Sequence, residues 1–152
     1  MDDQGARKDN DEDIERNTLD YYTSIFTSDQ PIKFDAVEQA LEPQVTVEMN
    51  AILTKQFQPD EVWHAIQQMH PMKSPGPDGM PPIFYQKFWN IVGQNTTECV
   101  LNILKSGIMP TDINATYICL IPKKNNPQKI MDYHPISLSN VLSNIVSKVL
   151  AN

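Results

Sequence analysis

Apolar residues recur at helical spacing along most of the chain, and one stretch replaces that spacing with an extended pattern. After Asp11, Ile14 and Ile25 lie on one face of a predicted helix whose first turn is acidic and whose end is the polar run 27–31. We expect a second short helix at 34–41 and loosely helical structure over 45–57.

The middle of the chain predicts further helices. Pro59 opens one at its preferred first position, and apolar residues continue its inner face to Met69. An aromatic stripe begins at Pro82, where we expect a core-facing helix that Gly93 breaks. Asn95 would cap the helix that follows, which Gly107 ends.

The last helix is the most regular. Ser139 or Asn140 is its predicted cap, and apolar residues at helical spacing from Val141 onward form one continuous face. This broad apolar face makes the 139–152 helix a candidate surface for self-association.

Residues 115–138 carry the extended pattern. Thr116–Pro122 is apolar and β-branched and predicts a buried strand, and Tyr133–Leu138 predicts a returning one after turn residues 125–129. The sequence therefore predicts an α+β fold that is mostly helical, with a short hairpin-like unit at about 115–138.

Residues 73–82 form a stretch that regular structure cannot accommodate. Four prolines and two glycines in ten residues predict a stiff, shaped loop. Gly76 and Gly79 permit positive φ angles, and Asp78 can hydrogen-bond within its own turn. The loop is either a rigid connector or a backbone surface on which a ligand strand rests.

Charge is distributed unevenly along the 152 residues, whose net charge is −7. Residues 1–20 and 21–114 each carry −5, whereas 115–152 carry +3. Only the basic third suits a polyanion, and Lys123 and Lys124 at the end of its first strand are candidate phosphate ligands. The alternative is that these two lysines are ordinary solvated charges.

Composition excludes several other classes. The two cysteines, Cys99 and Cys119, fit reduced core thiols better than a disulfide framework or a zinc site. We find no signal peptide and no apolar run long enough for a membrane span, so we expect an intracellular protein, nuclear or cytoplasmic. Residues 1–10 predict a disordered acidic tail.

Five motifs follow one another in a fixed order: Lys73–Gly79 with Phe84-Tyr85 and Phe88-Trp89, Asn114-Ala115-Thr116, Leu120–Lys123, Asp132–Leu138, and Ser147–Asn152. In this order and spacing they resemble the start of the reverse transcriptase domain of plant LINE-type (non-LTR) retrotransposons. The resemblance is densest from Lys73 onward and reaches the last residue. It implies a helical N-terminal extension at 11–70 and, at 71–152, the fingers of a right-hand polymerase.

The resemblance also implies residue roles. The 73–79 loop would lie along an RNA or DNA template, and the hairpin lysines would cover the triphosphate of an incoming nucleotide. His134 occupies a position where the family has arginine, and it cannot make that residue's bidentate fork. The implied template residues are Lys73, Ser74, Gly76, Asp78 and Gly79, and the implied phosphate residues are Lys123, Lys124 and His134.

The carboxylates of the chain argue against catalysis. Two-metal nucleotidyl transfer needs at least two carboxylates beside the triphosphate to hold Mg²⁺. Beyond Asp112 the chain has only Asp132, and the family's metal-binding aspartates lie in the palm, beyond the last residue. We therefore expect an inactive, truncated reverse transcriptase fragment with no metal site, no cofactor and no catalytic residues of its own. The alternatives are a helical protein-interaction module and a non-functional remnant of a decayed element.

Overall fold

A computed structural model describes residues 10–28 and 44–152 and confirms the mostly helical α+β fold. The predicted tail, apart from Asn10, and the predicted helix at 34–41 lie outside the described residues. The helices are α1 (Asp11–Phe26), α2 (Val47–Leu53), α3 (Pro59–Gln67), α4 (Pro82–Lys87), α5 (Trp89–Ser106), α6 (Thr111–Asn114) and α7 (Val141–Ala151), with strands β1 (Thr116–Pro122) and β2 (Tyr133–Ser139) and a 3-10 turn at Ile130–Asp132.

The chain divides into two compact units. One, which we name the helical unit, comprises residues 55–119 and 135–152. The other, which we name the tip unit, takes its described residues from 1–54 together with 120–134. The domain borders that the resemblance implies, at residues 10 and 70, stay predictions.

Helices α3, α5 and α7 build the core of the helical unit. Pro59 is at the start of α3, and Glu61 accepts a hydrogen bond from the backbone N–H of Gln58, which fixes that end. The inner faces of the three helices meet around side chains with no measurable exposure. These are Val62, Ala65, Ile66, Val100 and Ile145.

The aromatic stripe folds differently from its prediction. The break falls at Phe88, which ends α4 and precedes α5, whereas α5 runs unbroken through Gly93 and Asn95. A Cβ on Gly93 would lie 2.7 Å from the Trp89 indole, so the glycine makes room for the ring one helical turn earlier. This contact offsets the cost of glycine in a helix, which is about 1 kcal/mol. Because α5 is already helical before residue 95, the predicted Asn95 cap is wrong.

The apolar face of α7 is not available as an open surface. Val141, Ile145, Val146 and Val149 are all buried in the core of the helical unit, against α3 and α5. Helices that precede α7 in the sequence already cover this face, so it does not offer the open apolar surface on which the predicted self-association depends. Among its large apolar residues, Leu150 is exposed.

The two strands pair as an antiparallel hairpin, but the prediction of a buried β1 is wrong. Lys123 N–H donates to the Asp132 carbonyl at 2.7 Å, and the hydroxyls of Thr116 and Ser139 are 3.2 Å apart, so both contacts fit one register. Six of the seven residues of β1 are exposed, including Cys119. An apolar β-branched run describes strand propensity and does not show whether another layer covers the strand.

Candidate nucleic-acid interface

Asn140 fixes the loop at residues 73–79 of the helical unit, which we name the template loop after its predicted role. Only 4% of this residue is exposed, and its side chain makes no helix-capping hydrogen bond. Its Oδ1 accepts from the N–H of Asp78 at 3.1 Å, and its Nδ2 donates to the carbonyl of Asp112 at 2.9 Å. One buried amide thus ties residues 78, 112 and 140, which are far apart in sequence.

The sequence places Asn140 correctly as the residue before α7 but gives no sign of this tertiary role. An asparagine before a helix is ordinarily read as a local cap. Here its amide satisfies backbone groups of the loop and of α6, which a buried position requires. The role could be found only from the folded chain.

Gly76 is needed where the loop approaches the start of α7. A Cβ at this position would lie 2.5 Å from both the Asn140 Oδ1 and the Ser139 carbonyl carbon. No side chain fits at such distances, so this buried glycine allows close backbone approach. Gly76 is therefore buried against the start of α7. Of the predicted template residues, it is the one that is not accessible to a ligand.

The next residues form a tight turn. Gly79 N–H donates to the Gly76 carbonyl at 3.0 Å, with Pro77 and Asp78 at the two central positions. The Asp78 carboxylate accepts from Met80 N–H at 3.0 Å, and Gly79 has φ of +70°. The loop is therefore fixed by its own hydrogen bonds as well as by Asn140.

The exposed part of the loop carries its possible ligand contacts. Lys73, Ser74, Asp78 and Gly79 are exposed. Among the described residues neither the Lys73 amine nor the Ser74 hydroxyl has a hydrogen-bond or ion-pair partner, so both can reach an external phosphate. The structure thus brings these residues into one loop, with a cation and a hydroxyl outward.

Tyr85 lies in the core of the same unit, near Asp78 of the loop. Burial, with smaller contributions from the nearby charges of Asp78 and Cys99, raises the pKa of the Tyr85 phenol to about 12. The phenol therefore remains neutral across physiological pH and acts as packing.

Within the tip unit, Asp132 fixes the loop between the two strands, residues 123–132, which we name the hairpin tip. Its Oδ1 lies 2.9 Å from the Lys124 Nζ, and its Oδ2 accepts from the N–H groups of Gln128 and Lys129 at 3.0 and 3.1 Å. The Lys124 ammonium and these two N–H groups hold the pKa of the Asp132 carboxyl well below its usual range. This carboxylate closes the loop between the strands.

Lys123, Lys124 and His134 all belong to the tip unit, and all three are exposed. The Lys123 Nζ donates to the Met131 carbonyl at 2.8 Å, and Lys124 pairs with Asp132. Both cations therefore already have partners within the hairpin. A phosphate at this tip would have to compete with those contacts or share the same ammonium groups.

Carboxylates, histidines and cysteines do not converge among residues 10–28 and 44–152: no group of three or more there could hold a metal ion. None of the helices in the same residues is long and apolar enough to cross a membrane.

Comparison with known proteins finds one informative similarity and no matching family model. The chain is 30% identical over 142 residues to the "Transposon TX1 uncharacterized 149 kDa protein" of Xenopus laevis. The alignment covers 92% of this chain and 11% of that protein, so the chain spans about a tenth of the length of the curated relative that it matches. This similarity supports an origin of the chain in a transposon protein.

Proposed function

We propose that the chain is the fingers part of a reverse transcriptase from a LINE-type, non-LTR retroelement of the plant kind, and that it contacts the backbone of an RNA or DNA strand. The similarity to a transposon protein supports the retroelement origin. The reverse transcriptase, its plant type and its place in the fingers rest on the motifs at Lys73–Gly79 and Asp132–Leu138.

The observation that carries the binding proposal is the loop fixed by Asn140. A preformed loop loses little conformational entropy on binding, and Lys73 and Ser74 project from it without internal partners among the described residues. Contacts of this kind to phosphate position a nucleic acid without reading its sequence. The lysines of the hairpin tip are a second, weaker contact because each already has a partner.

We further propose that these 152 residues do not polymerise nucleotides by themselves. Both oxygens of Asp132 are engaged, one by Lys124 and the other by two backbone N–H groups. Mg²⁺ would have to displace these contacts and find a second carboxylate beside them. In this proposal Mg²⁺ has no ligand set among the described residues, which leaves template contact as the function of the chain.

Binding is tested by fluorescence anisotropy with labelled 20-nucleotide RNA and DNA strands at several salt concentrations. We expect Lys73→Ala to weaken binding severalfold and to reduce the salt slope by about 1, as loss of one phosphate contact should. The double variant Lys123→Ala/Lys124→Ala should lose less than two full contacts. Lys105→Ala, which removes an exposed lysine at the end of α5, is the matched control.

If Lys73→Ala and the double variant both bind as the control does, the proposed interface is wrong. Primer extension with Mg²⁺ tests the second part separately. Any extended product from pure protein would overturn the proposed inactivity and leave the template contact standing.

A further inference from the structure

A groove of about 520 Å³ lies between α3 and α5 on the helical unit. That volume is in the range of ordinary ligand sites. Its walls combine aromatic and acidic side chains, chiefly Trp63, Trp89, Asp60 and Glu98, with Gly93 beneath the Trp89 ring. Neither the template loop nor the hairpin tip contributes to its lining.

The two indoles form the apolar surface of this groove. The ring centroids of Trp63 and Trp89 are 5.1 Å apart and their planes are inclined by 47°. Both residues are half-buried, so each is held by the core while part of its ring borders the groove. A partly exposed tryptophan face attracts a cation, and guanidinium groups stack on it well.

The charge of the groove selects the same kind of ligand. Asp60 and Glu98 are exposed at the groove, and Gln94 Nε2 donates to Glu98 Oε1 at 3.0 Å, which orients that carboxylate. Among the described residues that line it, none is a lysine or an arginine. Two carboxylates repel a phosphate backbone and complement a cation, so this groove does not suit a nucleic acid.

We propose that this groove is a docking site for a basic segment of a partner protein. One arginine or lysine side chain of that segment stacks against Trp63 and Trp89, and Asp60 and Glu98 neutralise its charge. The proposal uses none of the residues assigned to template contact. It therefore stands or falls independently of the proposed function.

The chain provides its own probe, because its two tryptophans are the two in the groove. We would titrate the full chain with acetylated, amidated tri-arginine and follow tryptophan emission, with tri-glutamate as the ligand control. Tri-arginine should give a saturable change, and tri-glutamate none. The charge-removing variant Asp60→Asn/Glu98→Gln should bind about tenfold more weakly, as the loss of two exposed ion pairs permits.

Asp112→Asn is the matched control, since it removes one exposed carboxylate from the same unit outside the groove and should bind like the parent chain. Glu98→Gln alone, at an exposed position, replaces the double variant if that variant folds poorly. It should give a smaller loss of tri-arginine affinity. Equal affinity of the parent and the charge-removing variants overturns the proposal. The proposal is also overturned if a nine-nucleotide strand, followed by the same tryptophan emission, binds with higher affinity than tri-arginine.

Discussion

The two segments proposed to contact nucleic acid are each fixed by one polar side chain, but in different surroundings. Asn140 is buried, neutral and bonded to backbone groups distant in sequence. Asp132 is ionised and lies near the surface. It pairs with Lys124 across the hairpin tip and accepts hydrogen bonds from the N–H groups of Gln128 and Lys129, which lie within four residues of it along the chain. The first anchor depends on tertiary packing and the second on local electrostatics.

This difference determines how each segment responds to its surroundings. A neutral buried amide has no charge to titrate, so the template loop should be insensitive to salt and to moderate changes of pH. An exposed ion pair is weakened by salt and lost when its carboxylate is protonated. We therefore expect the template loop to remain ordered under conditions that loosen the hairpin tip.

The largest effect should come from adding one methyl group where the loop meets α7. Gly76→Ala forces a Cβ into space held by Asn140 and the Ser139 backbone, so either the loop or the helix must move. We expect a loss of about 3 kcal/mol in the free energy of unfolding, as overpacking of a rigid site gives. Urea denaturation followed by circular dichroism measures it.

Gly79→Ala is the matched control for that substitution. Its added Cβ meets nothing within 4 Å, but the positive φ of Gly79 makes any side chain unfavourable. We expect about 1 kcal/mol from backbone strain alone. Equal losses in the two variants would show that the close approach to Asn140 does not matter.

Removing the buried amide should have a somewhat smaller effect. Asn140→Ala leaves the Asp78 N–H and the Asp112 carbonyl without their partner, and water can reach them only in part. We expect a loss of about 2 kcal/mol in the free energy of unfolding, together with faster amide exchange at Asp78. Asn95→Ala, on an exposed position of α5, should change stability little, and a comparable loss there would contradict a specific role for Asn140.

The smallest effect on the whole fold, and the clearest dependence on pH, should come from the hairpin tip. The folded pKa of Asp132 is lowered, so its contribution is fully present above the unfolded value of about 4 and is lost as pH falls through the folded value. Amide shifts of Gln128 and Lys129 should therefore stay constant as pH falls from 6 through 4, where an ordinary aspartate titrates, and should change only in more acidic solution.

Asp132→Asn should abolish that pH dependence and leave the tip loosely held at neutral pH. Asp20→Asn, an exposed position on α1, is the control and should leave the two amide shifts unchanged. Identical titration of both amides in the parent chain and in Asp132→Asn would refute the anchoring role of Asp132.

Local patterns in the sequence predicted several elements well. Acids in the first turn of α1, proline at the start of α3 and the apolar face of α7 act over a few residues, so their helices are found where expected. The proline and glycine content of residues 73–82 likewise predicted an irregular, shaped loop, and the turn at Gly76–Gly79 confirms it. The predicted ligand contacts of that loop and of the hairpin tip stay predictions.

The errors share one physical origin. Gly93 was expected to break a helix because glycine is a poor helix former, but the Trp89 ring lies over it and the helix continues. Thr116–Pro122 was expected to be buried because it is apolar, and the strand is exposed. In each case the outcome depends on what packs against the residue, which neighbours in sequence do not specify.

The sequence by itself determined the helical spacing, the stiff loop, the basic C-terminal third and the motifs that resemble a reverse transcriptase, because each is a property of nearby residues. The tertiary structure alone decided that Asn140 anchors the loop, that Gly76 must lack a side chain, and that the face of α7 is already covered. Those features need groups more than 25 residues apart to come within hydrogen-bond or van der Waals distance, and only the folded core brings them there.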